Sequence, residues 1–320
     1  MERSIPNAGS GGNRLNNQKG FALLLSLLVL FLLVVIVLEA DFQTRADLRA
    51  AGNFRDDLKA FYLARSAITA GEAILKEDTR ISNRYDGLDE LWAYPVPEYP
   101  LGDGTLSGSI TDESGKINLN RLIRDGDKVD DWRKKQLRLL FELLQLKPDE
   151  LVDSIVDWID KNNEPEQYGA EVGFYQSLIP AYSPKNGPLD TLEELHMVKG
   201  VTDEVYKKIA PYLTVYGDGK INVNTADRLV LQSLTEGIDE TMIRRVIDNR
   251  PYENKTKFRD GLSSAEVWGR ITKEGVEPSL DTKSNVFSIV AEGKVQDTRK
   301  IVRAVVKRGN PSQLLYFKVE

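Results

Sequence analysis

Residues 21–38 form eighteen consecutive positions with no charge and almost no polarity, introduced by Lys19 and Gly20. As an α-helix rising roughly 1.5 Å per residue, such a run crosses about 27 Å of hydrocarbon. A secretory signal instead has an apolar core of about 7–15 residues and then a small-residue cleavage site. Here the run is longer, and Glu39-Ala40-Asp41-Phe42 follows it with no such site. Arg14 and Lys19 precede the run, whereas Glu39 and Asp41 follow it. Positive flanks stay on the cytoplasmic side, so the chain reads as a single-pass protein with its N-terminus inside and the remainder across the membrane.

The junction Lys19-Gly20-Phe21, behind a polar leader, resembles that of type IV pilin-like proteins. The resemblance implies cleavage by a prepilin peptidase after Gly20 and an N-methylated mature N-terminus at Phe21. An ordinary signal anchor with a chance Gly-Phe junction is the alternative. Composition adds three limits. A net charge of −6 and a pI near 5.2 argue against a general nucleic-acid surface. The absence of cysteine excludes disulfides, thiolate chemistry and Cys-based zinc sites. His196, the only histidine, excludes a His-rich metal site, and its place among Leu195, Met197 and Val198 marks it as a structural residue at a helix end.

The helix continues beyond the apolar run. Residues 41–76 hold no proline and two glycines, Gly52 and Gly71, with apolar positions recurring at helical spacing. One helix over 21–75, about 80 Å long, is predicted, its second half packing on a globular domain. A breaker-rich stretch follows at 94–104, then a strand-like alternation over 105–112. Gly115-Lys116-Ile117-Asn118-Leu119-Asn120 returns about a hundred residues on as Gly219-Lys220-Ile221-Asn222-Val223-Asn224. Each copy reads as a short strand leading into a helix capped by Asn. Helices are predicted over 131–146, 148–159, 189–198, 203–213, 225–234 and 240–249, and strands over 286–292, 300–308 and 314–319. A helical block thus sits inside a helix-and-sheet module built from both ends of the chain.

Several motifs in order resemble the minor pseudopilin K (GspK) family of type II secretion. They are Asp157-Trp158-Ile159-Asp160-Lys161-Asn162, Tyr168-Gly169-Ala170-Glu171, Tyr182-Ser183-Pro184-Lys185-Asn186-Gly187-Pro188-Leu189 and Ile221-Asn222-Val223-Asn224-Thr225-Ala226. The fold implied is α+β: a type IV pilin-like long N-terminal helix and a small antiparallel sheet, with a large inserted all-helical domain. That domain would comprise two SAM-like, helix-hairpin-helix-like modules. The expected divisions are a leader (1–20), a membrane segment (21–40), pseudopilin helix and first strands (41–119), the insertion (120–272, divided near 218/219) and the closing strands (273–320). The resemblance further implies an inner-membrane, non-enzymatic subunit without a catalytic cofactor. It would cap the tip of the periplasmic pseudopilus and help initiate its assembly, for export of folded proteins across the outer membrane. Its expected partners are the minor pseudopilins H, I and J, the prepilin peptidase and the inner-membrane assembly platform. Major pilins keep glutamate at the fifth mature position, where this chain has Leu25.

The rival reading is a membrane-anchored helix-hairpin-helix DNA-binding protein of a competence-type uptake system. Residues 195–202 and 234–239 resemble such hairpins, which grip phosphate through backbone N–H groups at a helix start. Thr202 and Asp239 replace the second glycine in the two copies, and a carboxylate there repels phosphate. Residues 199–260 hold eleven basic and ten acidic side chains, which is no basic footprint, and no nucleic-acid partner is expected.

Residues 149–171 carry eight carboxylates against Lys161 alone, a local charge of −7. Asp160, Asn162, Glu164 and Glu171 fall at places one, three, five and twelve of a calcium-loop count, and Asp157 lies in the same segment. Hard oxygen donors at this density suit a structural Ca²⁺, which the family resemblance also favours. Pro165 at the sixth place, where the loop wants glycine, argues against an EF-hand, and a solvated acidic face is the alternative.

Overall fold

The computed structural model describes residues 14–81 and 84–320, with side chains at 20–80 and 84–320. The leader expected over 1–20 therefore lies, up to residue 13, outside the described residues. The chain divides into two units, Met1–Leu58 and Lys59–Glu320. What is described of the first is helix: α1, Arg14–Ile81, begins in it. Its most apolar window has a mean hydropathy of 3.5 with no residue buried. A helix apolar on all sides is stable only where lipid or other helices cover it. The helix runs past the expected end at residue 75 because Lys76-Glu77-Asp78-Thr79-Arg80 contains no breaker, and Arg80 pairs with Glu77 one turn back.

In the second unit, residues 59–81 of α1 lay a stripe of Ala60, Ala64, Ala67, Ile68 and Leu75 against a five-stranded antiparallel sheet. The sheet order is β1-β2-β9-β10-β11, with β1 Val96–Leu101, β2 Gly104–Asp112, β9 Val286–Val295, β10 Thr298–Lys307 and β11 Gln313–Val319. Its inner face reads across the register as Ile110, Ile289, Ala304 and Phe317. Small side chains on α1 allow close approach. At Gly293 a Cβ would collide with the backbone of Ala60 and Ala64, so only glycine fits. Trp92 packs edge-on against Phe287, with ring centroids 5.1 Å apart, and closes this core. Strand β1 was hidden by its prolines: Pro97 and Pro100 read as breakers, but an edge strand tolerates them because its outward N–H groups make no ladder bonds.

The helical part lies between β2 and β9 in sequence. After β3 Ile117–Asn118, a small hairpin (β4 Ile123–Arg124, β5 Lys128–Val129) leads to α2 Asp131–Leu143 and α3 Pro148–Ile159. Next come α4 Val172–Gln176, a 3₁₀ turn at Leu192–Met197, α5 Asp203–Ile209 and β6 Leu213–Thr214. The second stretch holds β7 Ile221–Asn222, α6 Arg228–Gln232, α7 Glu240–Asp248, α8 Lys255–Leu262, α9 Ala265–Lys273 and β8 Leu280–Asp281. The expected helix at 189–198 is this 3₁₀ turn. Helices α4, α8 and α9 were not expected; Gly173, Gly261 and Gly269 weaken their periodic signal. One apolar core joins Ile117 to Leu280, and Trp132 Nε1 donates to Leu234 O at 3.1 Å across its two stretches.

The sequence echo is a structural repeat. Strand β3 pairs in parallel with β6, and β7 pairs in parallel with β8. Asn118 and Asn222 each accept from the N–H two residues on, starting the following turn (3.0 and 2.9 Å). Asn120 and Asn224 each clamp a distant backbone from both sides. Asn120 donates to Leu189 O and Val215 O and accepts from Leu189 N, whereas Asn224 donates to Tyr252 O and accepts from Tyr252 N.

Candidate functional site

The acidic segment folds back on α3, whose last turns carry Asp153 and Asp157 on one face and end at Asp160. Asp157 accepts from Glu166 N at 3.0 Å and Asp153 from Tyr168 N at 3.2 Å. Lys134 on α2 bridges Asp153 and Glu166 at 2.9 and 3.0 Å. Gly169 lies so close to Asp157 that a Cβ would overlap its carboxylate. These contacts stitch the loop onto the helix and bring Glu171, the residue that precedes α4, towards Asp157 and Asp160.

The three carboxylates are almost removed from solvent, with 0%, 2% and 6% of Asp157, Asp160 and Glu171 exposed. Burial, then the neighbouring carboxylate charges, pushes Asp160 up to about 6 and Glu171 up to about 7; burial also raises Asp157. Among the described residues, Asp160 Oδ1 and both oxygens of Glu171 are buried with no hydrogen-bond partner. Anionic oxygens left this way are costly without a counter-charge, but among the described residues the acids whose oxygens converge within 4.8 Å of one another are a different group. Of the remaining residues in the calcium-loop count, Asn162 is half-buried, with Oδ1 accepting from Glu164 N at 2.6 Å, and the side chain of Glu164 is exposed.

Spacing gives no sign of a second acidic group. Asp78, near the end of α1, Asp86 and Glu90 each place an oxygen within 4.8 Å of the others. Arg308, just after β10, lies 2.6 Å from Asp86 and 3.3 Å from Asp78. Trp92 Nε1 and Gly87 N donate to Glu90 at 3.0 and 2.9 Å. Burial and the Glu90 charge push Asp78 up to about 6, and Arg308 partly opposes this. A guanidinium already occupies the cationic place, so the cluster acts as a joint. It continues into the helical part: Ser284 N donates to Asp86, while Ser284 Oγ, Thr225 Oγ1 and Asn222 Nδ2 donate to the buried Asp112. Its acids and its arginine are more than 200 residues apart in sequence, and only the fold brings them together.

The hairpin positions are self-capped. Thr202 Oγ1 accepts from Val205 N at 3.3 Å, and Asp239 Oδ1 from Met242 N at 2.8 Å. At α7 a carboxylate therefore stands where a phosphate would need to bind. His196 stacks on Tyr206 at 4.1 Å and points Nδ1 at Asp203 Oδ1 from 3.2 Å, tying the 3₁₀ turn to α5. Gly20, Phe21 and Leu25 all lie on α1; a Cβ at Gly20 would meet nothing within 4 Å, and Phe21 and Leu25 are exposed.

Two family models match adjacent stretches, both described as type II secretion system protein K: residues 115–218 and 221–289. Among relatives, the type II secretion system protein K of Aeromonas hydrophila is 30% identical over 94% of this chain and 96% of its own length. That of Pseudomonas aeruginosa is 28% identical over 93% and 91%. The fold is similar to a chain in the crystal structure of the GspK–GspI–GspJ complex from the enterotoxigenic Escherichia coli type 2 secretion system. The TM-score is 0.72 at 20% identity, covering 86% of this chain and 99% of that one.

Proposed function

The chain belongs to the type II secretion system protein K family, and on that footing we propose that it caps the tip of the secretion pseudopilus and helps start its assembly. The family is a structural component of secretion machinery, and a minor pseudopilin is what its members are. The observation that carries the finer reading is the helical block between β2 and β9. Bulk of that size obstructs the next subunit in a closely packed helical fibre, but at the end of the fibre it meets nothing.

Leu25 supports the same position. A carboxylate within the bilayer or a helical bundle is costly unless paired, and the fifth-residue glutamate of pilins is expected to meet the terminal ammonium of the subunit above. A subunit with nothing above it gains from an apolar residue there. We further propose cleavage after Gly20 by the prepilin peptidase, N-methylation of Phe21, and insertion in the inner membrane with the C-terminal unit in the periplasm. The adjoining family matches support a division of the helical domain into two modules near residue 218. Its structural Ca²⁺ would be held by Asp157, Asp160 and Glu171, with Asn162 and Glu164 as outlying candidates.

The partners in this reading are the minor pseudopilins I and J, with H below them. Co-purification of the full chain with I and J from detergent extracts tests it: a stable complex is expected, and recovery of the chain alone contradicts it. The competence-type reading predicts DNA retardation by the same sample, which the carboxylate cap at Asp239 disfavours.

A further inference from the structure

The two edges of the five-stranded sheet differ in what they can accept. At one edge, Pro97 and Pro100 of β1 lack the N–H groups that an added strand would use. At the other, β11 contains no proline over Gln313–Val319. Its ladder with β10 fixes which of its groups are spare. Ile301 and Glu320 exchange both backbone hydrogen bonds, at 3.1 and 2.8 Å. From there the register runs Val302↔Val319, Arg303↔Lys318, Ala304↔Phe317. Hydrogen-bonded and non-bonded pairs alternate along an antiparallel ladder, so the N–H and C=O groups of Phe317 and Val319 point away from β10.

The side chains of these same two residues are 40% and 44% exposed, while their cross-strand partners Ala304 and Val302 are buried beneath α1. The apolar inner face of the sheet therefore continues past the cover of the helix. Charge adds a further preference. Lys318 stands directly opposite Arg303; Glu320 lies 3.1 and 3.4 Å from the two, and the Glu193 charge also acts on the exposed Lys318. Like charges directly opposed across a ladder are unfavourable, and a second acid beside them relieves the repulsion. A break in register between Val305 and Val306 leaves Leu315 without a partner and limits the usable edge to residues 316–320.

We propose that β11 is the acceptor edge for an extended strand of another protein, apolar at alternate positions to cover Phe317 and Val319 and acidic beside Lys318. A helix cannot use the spare groups, because its own amides are already bonded within it. An added strand bonds them directly while its alternate side chains read the two faces. This inference stands on the sheet alone and does not depend on a position in the fibre.

The test uses the full chain in detergent micelles and a fluorescent peptide of sequence Val-Thr-Val-Glu-Val-Thr-Val, capped at both ends, with a Lys-for-Glu peptide beside it. The Glu peptide is expected to bind at least about tenfold more tightly than the Lys peptide, and to slow amide exchange at Phe317 and Val319. Phe317→Pro removes an outward N–H and is expected to lose about tenfold or more in affinity with unchanged melting. Should that variant unfold, Lys318→Glu keeps the backbone intact and is expected to reverse the preference between the peptides. The proposal fails if the Glu peptide does not bind at about 1 mM, if a folded Phe317→Pro binds it undiminished, or if Lys318→Glu leaves the preference unchanged. It also fails if the protected amides lie elsewhere, or if self-association of the chain protects them without peptide.

Discussion

Replacing Asn222 tests whether the repeated asparagine motif fastens the helical part to the sheet. Asn222 is fully buried, and its Nδ2 lies 3.0 Å from Asp86 O, 3.1 Å from Asp112 Oδ2 and 2.8 Å from Ser284 Oγ. Its Oδ1 accepts from Asn224 N at 2.9 Å. The amide has two hydrogens for its three acceptors, so about three of these bonds count at once. At about 1 kcal/mol net for each, and with roughly 1–3 kcal/mol more for leaving buried acceptors without a donor, Asn222→Ala costs about 4–6 kcal/mol. For a unit of this size that lowers the melting temperature by about 10–20 °C. Calorimetry of the full chain in micelles reads the loss, and a fall of less than about 3 °C refutes the joint. Asn222→Asp sharpens the test. Burial pushes Asp112 up to about 6 from 3.8, so its folded form holds a proton more tightly than its unfolded form. Ionisation of Asp112 therefore costs stability, in full above pH about 6 and not at all below the unfolded value. A second carboxylate beside it suffers the same penalty, so Asn222→Asp is expected to lose more stability at pH 8 than at pH 5. Equal losses at the two pH values contradict the argument.

Ca²⁺ is expected to raise the melting temperature above that in chelator, corresponding to about 2.7 kcal/mol at a hundredfold excess over Kd, and Glu171→Gln should remove most of the rise. Because burial and the neighbouring carboxylates push Asp160 up to about 6 and Glu171 up to about 7, protons compete with the ion. The Ca²⁺-dependent rise is therefore expected at pH 8 and should fade as pH falls through 7 towards 5; identical melting with Ca²⁺ and with chelator at pH 8 contradicts the site. Mass spectrometry of the mature chain should find Phe21 at the N-terminus, and Gly20→Trp should retain the leader, whereas a mature chain starting after residue 38 establishes an ordinary signal peptide. Leu25→Glu should leave the protein at the fibre end, as imaging of labelled pseudopili can check, and its appearance along the shaft counts against the role given to this residue.

What the sequence made legible is what depends on local pattern. Residues 21–38 mark the apolar helix by length alone, and α3, Pro148–Ile159, was bounded by a proline at its start and an acid-rich loop at its end. The paired Ile-Asn-x-Asn motifs were visible as an echo, but their work was not. That Asn222 meets Asp86, Asp112 and Ser284 depends on residues 136, 110 and 62 positions away. Strand β1 was concealed because Pro97 and Pro100 are breakers everywhere except at an edge, and being an edge is a property of the sheet. The acidic segment stands out by its charge, yet counting along a calcium loop groups Glu164, whose side chain is exposed, with the buried Asp160 and Glu171. Asp157 carries no such count and is the most deeply buried of the set. Arg308 escapes a reading of the sequence, since a lone arginine after a strand has no spacing signal until Asp78 and Asp86 converge on it.

The central claim is the position of this subunit in the fibre. Isolated pseudopili carrying an epitope in the exposed loop that includes Ile179, labelled with gold and viewed by electron microscopy, report it directly. The account predicts label at one end of each fibre. Label repeated at regular intervals along the shaft would contradict it.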